Sequence, residues 1–261
     1  MFETLKVETT QHVCTIRMNR PAALNACNKQ MWRELVVAFQ EAGANENVRA
    51  VVLTGEGRAF CVGADLKETA WKAENLAQSW RRVDANQQQL ARTMLGLNVP
   101  IIAAINGYAL GGGVEISLAC DFRLAADTAV FGFPETTLGL FVSGGASVLL
   151  PRLIGLTSAK RLVYTGERVG AAEARQIGLI DNVYAPQALL DEALILAGKI
   201  AANAPISVGL AKRVMNKVAL GDLDVALAYE TDALLVCYGT QDNKEGPRAF
   251  AEKRAPRFVG Y

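Results

Sequence analysis

Two short apolar runs constrain the fold of this 261-residue chain more than any other feature. VRAVVLTG (48–55) and PIIAAIN (100–106) are continuous rather than alternating, and they end in Gly and Asn. A strand that reads this way is buried on both faces, as in a parallel sheet covered by helices. HVCTIRMN, in contrast, alternates and is rich in β-branched residues, so it reads as a strand with His12 on a sheet edge. NKQMWRELVVAFQEAGAN places Met31, Leu35, Ala38 and Phe39 at helical spacing. LAQSWRRVDANQQQLARTMLGLN reads as a long polar-rich helix stopped by Asn98-Val99-Pro100. Strands alternating with helices imply βαβ units and a largely parallel sheet. Ligands of such sheets bind at the carboxyl ends of the strands. Two glycine loops, GEGRAFCVGAD and NGYALGGG, follow the two apolar strands and are expected at the same end. Past about Ala201 the pattern becomes helical, as in an appendage packed on the core or on a neighbouring subunit.

Composition limits the function classes. Hydrophobic residues make up 51% and charged residues 20%, with a net charge of +1. That supports a sizeable core and offers no global basic excess for nucleic acid. Five cysteines (Cys14, Cys27, Cys61, Cys120, Cys237) show no CxxC spacing. The count is odd, so they read as reduced, mostly buried thiols rather than a disulfide framework or zinc site. The N-terminal stretch carries neither a signal-peptide core nor an Arg-rich transit peptide, and 99–120 is too interrupted for a membrane span. The expectation is a soluble, cytoplasmic protein.

Chemistry concentrates at the loops. Gly111-Gly112-Gly113 is neither GxGxxG nor a P-loop. Three glycines at a helix start do offer bare N–H groups to an anion or a developing negative charge. CVGAD (61–65) can supply a second N–H, and two converging N–H groups make an oxyanion hole. Both loops are equally explained as tight turns that need glycine. Glu115 follows Gly112 by three residues, near the same helix face. A first-turn carboxylate also suits the helix dipole without any catalytic role. Glu135, after Pro134, is a second acid in apolar sequence. Burial raises a carboxyl pKa, and two such groups facing one site can divide acid and base work.

At this point AFCVGADL, PIIAAINGYALGGGVEISLACDF, FGFPETTLGL and GLIDNVY resemble the crotonase family, also called the enoyl-CoA hydratase/isomerase family. NRPAALNA near the start and EGPRAFAEKR near the end agree. The resemblance covers nearly the whole chain in order. It implies an α/β fold, a crotonase-type spiral of ββα units over 1–200, with a helical C-terminal region over 201–261 that builds a homotrimer or a dimer of trimers. It implies an acyl-CoA thioester as substrate, with no cofactor beyond the coenzyme A of that substrate, and no nucleic-acid or membrane partner. The catalytic set it implies is Glu115 and Glu135, with the N–H groups of Ala64 and Gly112 as oxyanion donors. Substrate contacts are implied for Ala23, Ala26, Val62, Gly63, Asp65, Leu66, Gly111, Pro134, Leu138, Ser143 and Lys253. With both acids present, the implied reaction is reversible addition of water to a 2-enoyl-CoA. Glu115 would activate the water for C3, and Glu135 would deliver a proton to C2. The alternatives are an isomerase, a dehydratase of branched, cyclic or aromatic acyl-CoA, or a non-catalytic acyl-CoA or RNA binder.

The chain departs from the family pattern in three places. Val142-Ser143 stands where hydratases usually have Pro-Gly, which puts the acyl substrate in doubt. The Ser143 N–H remains for holding the catalytic water, and its hydroxyl could instead bind substrate. Ala22-Ala23 replaces a basic residue before LNA. Leu234 stands where an aromatic residue beside adenine is expected. His12, the only histidine, is not expected to be catalytic. Trp71 and Trp80 read as packing or acyl-pocket residues, Arg81-Arg82 as a solvated helix face, and Asp65 and Asp121 as loop braces, with Asp65 a weaker alternative acid.

Overall fold

The computed structural model describes residues 2–69, 75–219, 221, 223–254 and 256. A six-stranded sheet has the order β1-β2-β3-β5-β7-β10. These strands are β1 (Leu5–Thr10), β2 (Val13–Met18), β3 (Ala50–Gly55), β5 (Ile101–Ile105), β7 (Phe122–Ala126) and β10 (Asn182–Tyr184). Only β1 and β2 pair antiparallel; the other neighbours in this sheet are parallel. A second sheet follows the order β4-β6-β8-β9, from β4 (Ala59–Cys61), β6 (Tyr108–Leu110), β8 (Val130–Gly132) and β9 (Arg168–Gly170). Strands β3, β5 and β7 each lead into a short strand of the second sheet, so the chain climbs both sheets together.

The apolar runs are buried on both faces, as their composition requires. Val51, Leu53, Ile101, Ala103 and Ile105 meet Met31, Leu35 and Phe39 of α1 (Lys29–Ala44). Ala50, Val52, Ile102 and Ala104 meet Leu189, Ala193, Ala197 and Ala201 on the other side. Those four recur every fourth residue along α9 (Leu189–Ala201), which gives that helix one continuous apolar stripe.

Two expectations change. His12 lies in the turn between β1 and β2, where Gln11 and His12 both have positive φ. β2 is flanked on both sides, so β1 is the edge strand. The two glycine loops do follow β3 and β5 as expected, and each carries a short strand of the second sheet, β4 or β6. The long helix, in contrast, is not uniform. α3 (Leu76–Val83) and α4 (Gln89–Gly96) are joined by a wider π turn at Asp84–Gln88.

Beyond β8 lie α6 (Ala146–Ile154), α7 (Leu156–Thr165) and α8 (Ala171–Gln176). The C-terminal region forms α10 (Pro205–Ala219), α11 (Leu223–Tyr238) and α12 (Gln241–Ala251). α11 packs on α3 and α6, and α12 packs on the turn Pro134–Leu138. A Cβ at Gly246 would lie 2.5 Å from the Leu138 carbonyl oxygen, so α12 touches that turn backbone to backbone. No single helix among the described residues is long and apolar enough to cross a membrane.

Candidate active site

The first loop leaves β4 through Val62 and Gly63, whose φ is +90°. Ala64 forms an isolated parallel bridge with Cys27. Cys27 N–H donates to Gly63 O at 2.7 Å, and Asp65 N–H donates to Cys27 O at 3.0 Å. In that pattern the bonds to Cys27 come from the residues flanking Ala64, so the Ala64 N–H faces away from Cys27. Asp65 holds the loop through an ion pair with Arg20, Oδ2 to Nη2 at 3.0 Å. Arg20 also donates to Ala26 O. Asp65 Oδ1 accepts the Lys67 N–H at 3.1 Å, in the first turn of the short helix Leu66–Thr69. These contacts make Asp65 a brace rather than an acid.

The second loop leaves β6 at Gly111 and enters α5 (Gly112–Leu118). A Cβ at Gly63 would lie 3.0 Å from Gly112 N, and a Cβ at Gly112 would lie 3.7 Å from Ala64 N. The two loops therefore touch, and their N–H groups stand side by side. Neither Ala64 N–H nor Gly112 N–H donates to a backbone acceptor among the described residues. Gly111 has φ +51°, and a Cβ there would lie 2.6 Å from Glu135 Oε1. Glycine is needed here for conformation and for space.

Both acids are buried, Glu115 at 5% exposure and Glu135 at 9%. Glu115 sits in the first turn of α5. Its Oε1 accepts the Ser143 N–H and its Oε2 accepts the Ser143 hydroxyl, both at 2.7 Å. An ionised carboxylate is an acceptor only, and this pairing suits that form. Glu135 sits in the first turn of Pro134–Leu138. Its Oε2 is buried with no hydrogen-bond partner among the described residues. Burial, and then the Glu115 charge, hold the Glu135 carboxyl well above the ordinary carboxylate range. The two carboxyls thus sit in unlike surroundings, one hydrogen-bonded by Ser143 on both oxygens and the other with a buried oxygen that lacks a donor among the described residues.

A small cavity of about 10 Å³ adjoins Glu115. Leu90, Ala91, Met94, Ile116, Ala119 and Trp32 line it together with Gln87, Gly112, Glu115 and Gly144. That volume is near the minimum for one water-sized group. Its walls are mostly apolar, and it opens on Glu115 and on Gly112.

The structure brings together Val62, Gly63, Ala64, Asp65, Gly111, Gly112, Glu115, Pro134, Glu135 and Ser143. Leu66 begins the short helix after the first loop, and Leu138 closes the Glu135 turn against α12. Ala23 ends the 3-10 turn Pro21–Ala23, and Ala26 is tied to Arg20. Lys253 lies beyond α12, exposed and with φ +54°, and its N–H donates to Phe250 O at 3.2 Å. Trp80 is exposed. Trp71 lies outside the described residues. Arg82 stacks over the Tyr238 ring at 5.8 Å, so only Arg81 is a plainly solvated charge. Leu234 is buried. Asp121 accepts from Ile101 N–H at 2.7 Å and pairs with Lys212 at 2.8 Å, as a brace would. The histidine keeps to the surface, where His12 Nδ1 lies 2.9 Å from Asn47 O. Sequence reasoning missed Arg20, Trp32, Gln88 and Gly144. Trp32 alone carried a signal, because it stands three residues before Leu35 on the apolar face of α1.

A profile of the enoyl-CoA hydratase/isomerase family matches residues 8–260. The chain belongs to that family. It is 38% identical over 259 residues to a crotonyl-CoA hydratase of Syntrophomonas wolfei, covering 99% of this chain and 98% of that one. It is 39% identical over 249 residues to a short-chain-enoyl-CoA hydratase of Clostridium acetobutylicum, covering 95% and 94%. Among solved structures, an enoyl-CoA hydratase of Bacillus anthracis superposes with a TM-score of 0.80 at 41% identity, covering 99% and 100%. The ββα spiral seen here is the fold of those structures.

Proposed function

We propose that this protein is an enoyl-CoA hydratase, adding water reversibly across the double bond of a 2-enoyl-CoA thioester. The observation that carries this reading is the unlike surroundings of two buried carboxyls beside two N–H groups that meet no backbone acceptor among the described residues. The thioester carbonyl oxygen would lie against Ala64 N–H and Gly112 N–H, which stabilise it as charge develops. Such a donor is worth about 10²–10³-fold in rate. Glu115, acceptor-only and adjacent, takes a proton from the attacking water as oxygen bonds to C3. Glu135 gives its proton to C2 from the other acid position. A placed acid or base contributes about 10²–10⁴-fold. The cavity beside Glu115 takes the far end of the acyl group.

The test is hydration of crotonyl-CoA by wild type, Glu115→Gln and Glu135→Gln. Each variant is expected to lose about 100-fold or more in kcat. Full activity in either one removes the role assigned to that residue.

One observation favours a second reading. Ser143 engages both oxygens of Glu115, so Glu135 alone could shuttle a proton between carbons, as in an isomerase. Product masses separate the two readings, since water addition raises the mass and double-bond migration does not.

The same reading includes self-association through the region 201–261. Ile206, Leu210 and Val214 recur every fourth residue on α10 and are 78%, 45% and 55% exposed. An apolar stripe of this kind suits a second copy of the chain. Lys253, exposed beyond α12, fits a contact to the coenzyme A phosphates of a neighbouring subunit. Light scattering during size exclusion reports whether the chain is a trimer or hexamer; a monomer at micromolar concentration would count against this part.

A further inference from the structure

Gln88 is fully buried, an unusual place for a primary amide. It ends the π turn Asp84–Gln88. In an ordinary helix, residues two apart point to different faces, yet Asn86 and Gln88 are both buried here. The wider turn turns Gln88 inward, and π turns of this kind concentrate at functional sites.

Every polar valence of the amide except one lone pair is used. Gln88 Oε1 accepts the Gly144 N–H at 3.0 Å. Gln88 Nε2 donates to Leu227 O at 3.0 Å and to Thr231 Oγ1 at 3.2 Å, both on α11. Thr231 Oγ1 in turn donates to Leu227 O at 3.0 Å. Gly144 directly follows Ser143, whose N–H and hydroxyl hold the two Glu115 oxygens. A Cβ at Gly144 would touch Glu115 Cβ at 3.4 Å, so this peptide also lies against the Glu115 side chain. A buried line of hydrogen bonds therefore runs from α11 through Gln88, Gly144 and Ser143 to Glu115.

We propose that Gln88 is a positioning residue for Glu115, acting through Gly144 and Ser143, and that it couples the placement of this base to the seating of α11. The catalytic part of the proposal rests on the hydratase reading above. The amide is suited to the task because it both accepts and donates. A leucine would leave the Gly144 N–H without its acceptor and would remove the amide donor from Thr231 Oγ1 and Leu227 O. A glutamate would keep the acceptor for Gly144 and lose the two donations to α11. The Gln88 hydrogen bonds run to α11 and Gly144, so the effect falls first on the Glu115 side of the pair.

The test is a double-mutant cycle on crotonyl-CoA hydration, with Gln88→Leu or Gln88→Glu placed in wild type and in Glu115→Gln. In wild type, each substitution is expected to lower kcat about tenfold, the scale of one lost buried hydrogen bond, with KM changing less than about twofold. In the Glu115→Gln background the same substitutions should cost almost nothing more, because their target is gone. Thr231→Val serves as a milder break at the α11 end and should lower kcat about threefold. Equal losses in both backgrounds would mark Gln88 as structural only and overturn the proposal, as would unchanged kcat in both Gln88 variants. Deuterium exchange of peptides covering Ser143 and Gly144 gives a readout independent of turnover. Faster exchange in Gln88→Leu and Thr231→Val supports the coupling, and unchanged exchange in both overturns it. If wild type adds no water to any enoyl-CoA, the hydratase reading fails, and the exchange result alone decides whether Gln88 holds this loop.

Discussion

Glu115 and Glu135 are the same residue type at similar burial in one site, yet their surroundings differ completely. Glu115 has a hydrogen-bond donor on each oxygen, supplied by one residue, Ser143. Glu135 has an oxygen with no partner among the described residues and the negative field of Glu115 beside it. The first environment favours a carboxylate and the second favours a carboxylic acid. Two like charges at close range cannot both form cheaply, so the pair divides one proton by environment rather than by residue type. The placement of donors by distant segments is therefore what sets the two glutamates apart.

The largest break in that contrast comes from the glycines that back the two acids. Gly111→Ala combines a positive φ with a Cβ 2.6 Å from Glu135 Oε1, and Pro134 stands close behind. Hydration should fall by about 100-fold or more, since Glu135 must leave its place. Gly144→Ala stands on the Glu115 side, where the added Cβ meets Glu115 Cβ at an ordinary 3.4 Å and only the φ of +60° is strained. Its loss should be about tenfold, with strain on the order of 1–3 kcal/mol as the cause. Steady-state kinetics on the two variants ranks them, and the reverse order would break the contrast.

A smaller effect sharpens it through stability. The Glu135 pKa is raised in the native state, so the folded protein binds that proton more tightly than the unfolded chain does. The resulting stability is full below the ordinary carboxylate pKa and is lost as pH rises through the native value. Glu135→Gln keeps the shape and removes the titration. Its melting temperature should gain on wild type as pH is raised from about 5 to about 9, by a few degrees, and level off once wild-type Glu135 is ionised. A constant difference across that range would place the proton elsewhere.

Much of this site was legible in the sequence, for physical reasons. The apolar runs could only be doubly buried strands. Glycines followed by Glu115, and Glu135 after Pro134, carried the chemistry on residue types that seldom stand in apolar surroundings without cause. What escaped was set by distant partners. The strands of the second sheet are only three residues long, too short to display a period. His12 was placed on a strand because the β-branched run begins beside it, although the turn begins one residue earlier. The sequence points to Ser143 as a substrate contact but does not show that its hydroxyl donates to Glu115. Gln88 lies in a polar run, DANQQQL, within what reads as a long polar-rich helix; α11, some 140 residues later, explains its burial.

The central claim is that the shared proton resides on Glu135 while Glu115 stays ionised. Infrared difference spectroscopy of wild type, Glu115→Gln and Glu135→Gln at neutral pH tests it without any substrate. The expected result is a protonated-carboxyl C=O stretch in wild type that persists in Glu115→Gln, where burial still acts on Glu135, and disappears in Glu135→Gln. A band that survives in Glu135→Gln and vanishes in Glu115→Gln would contradict the account.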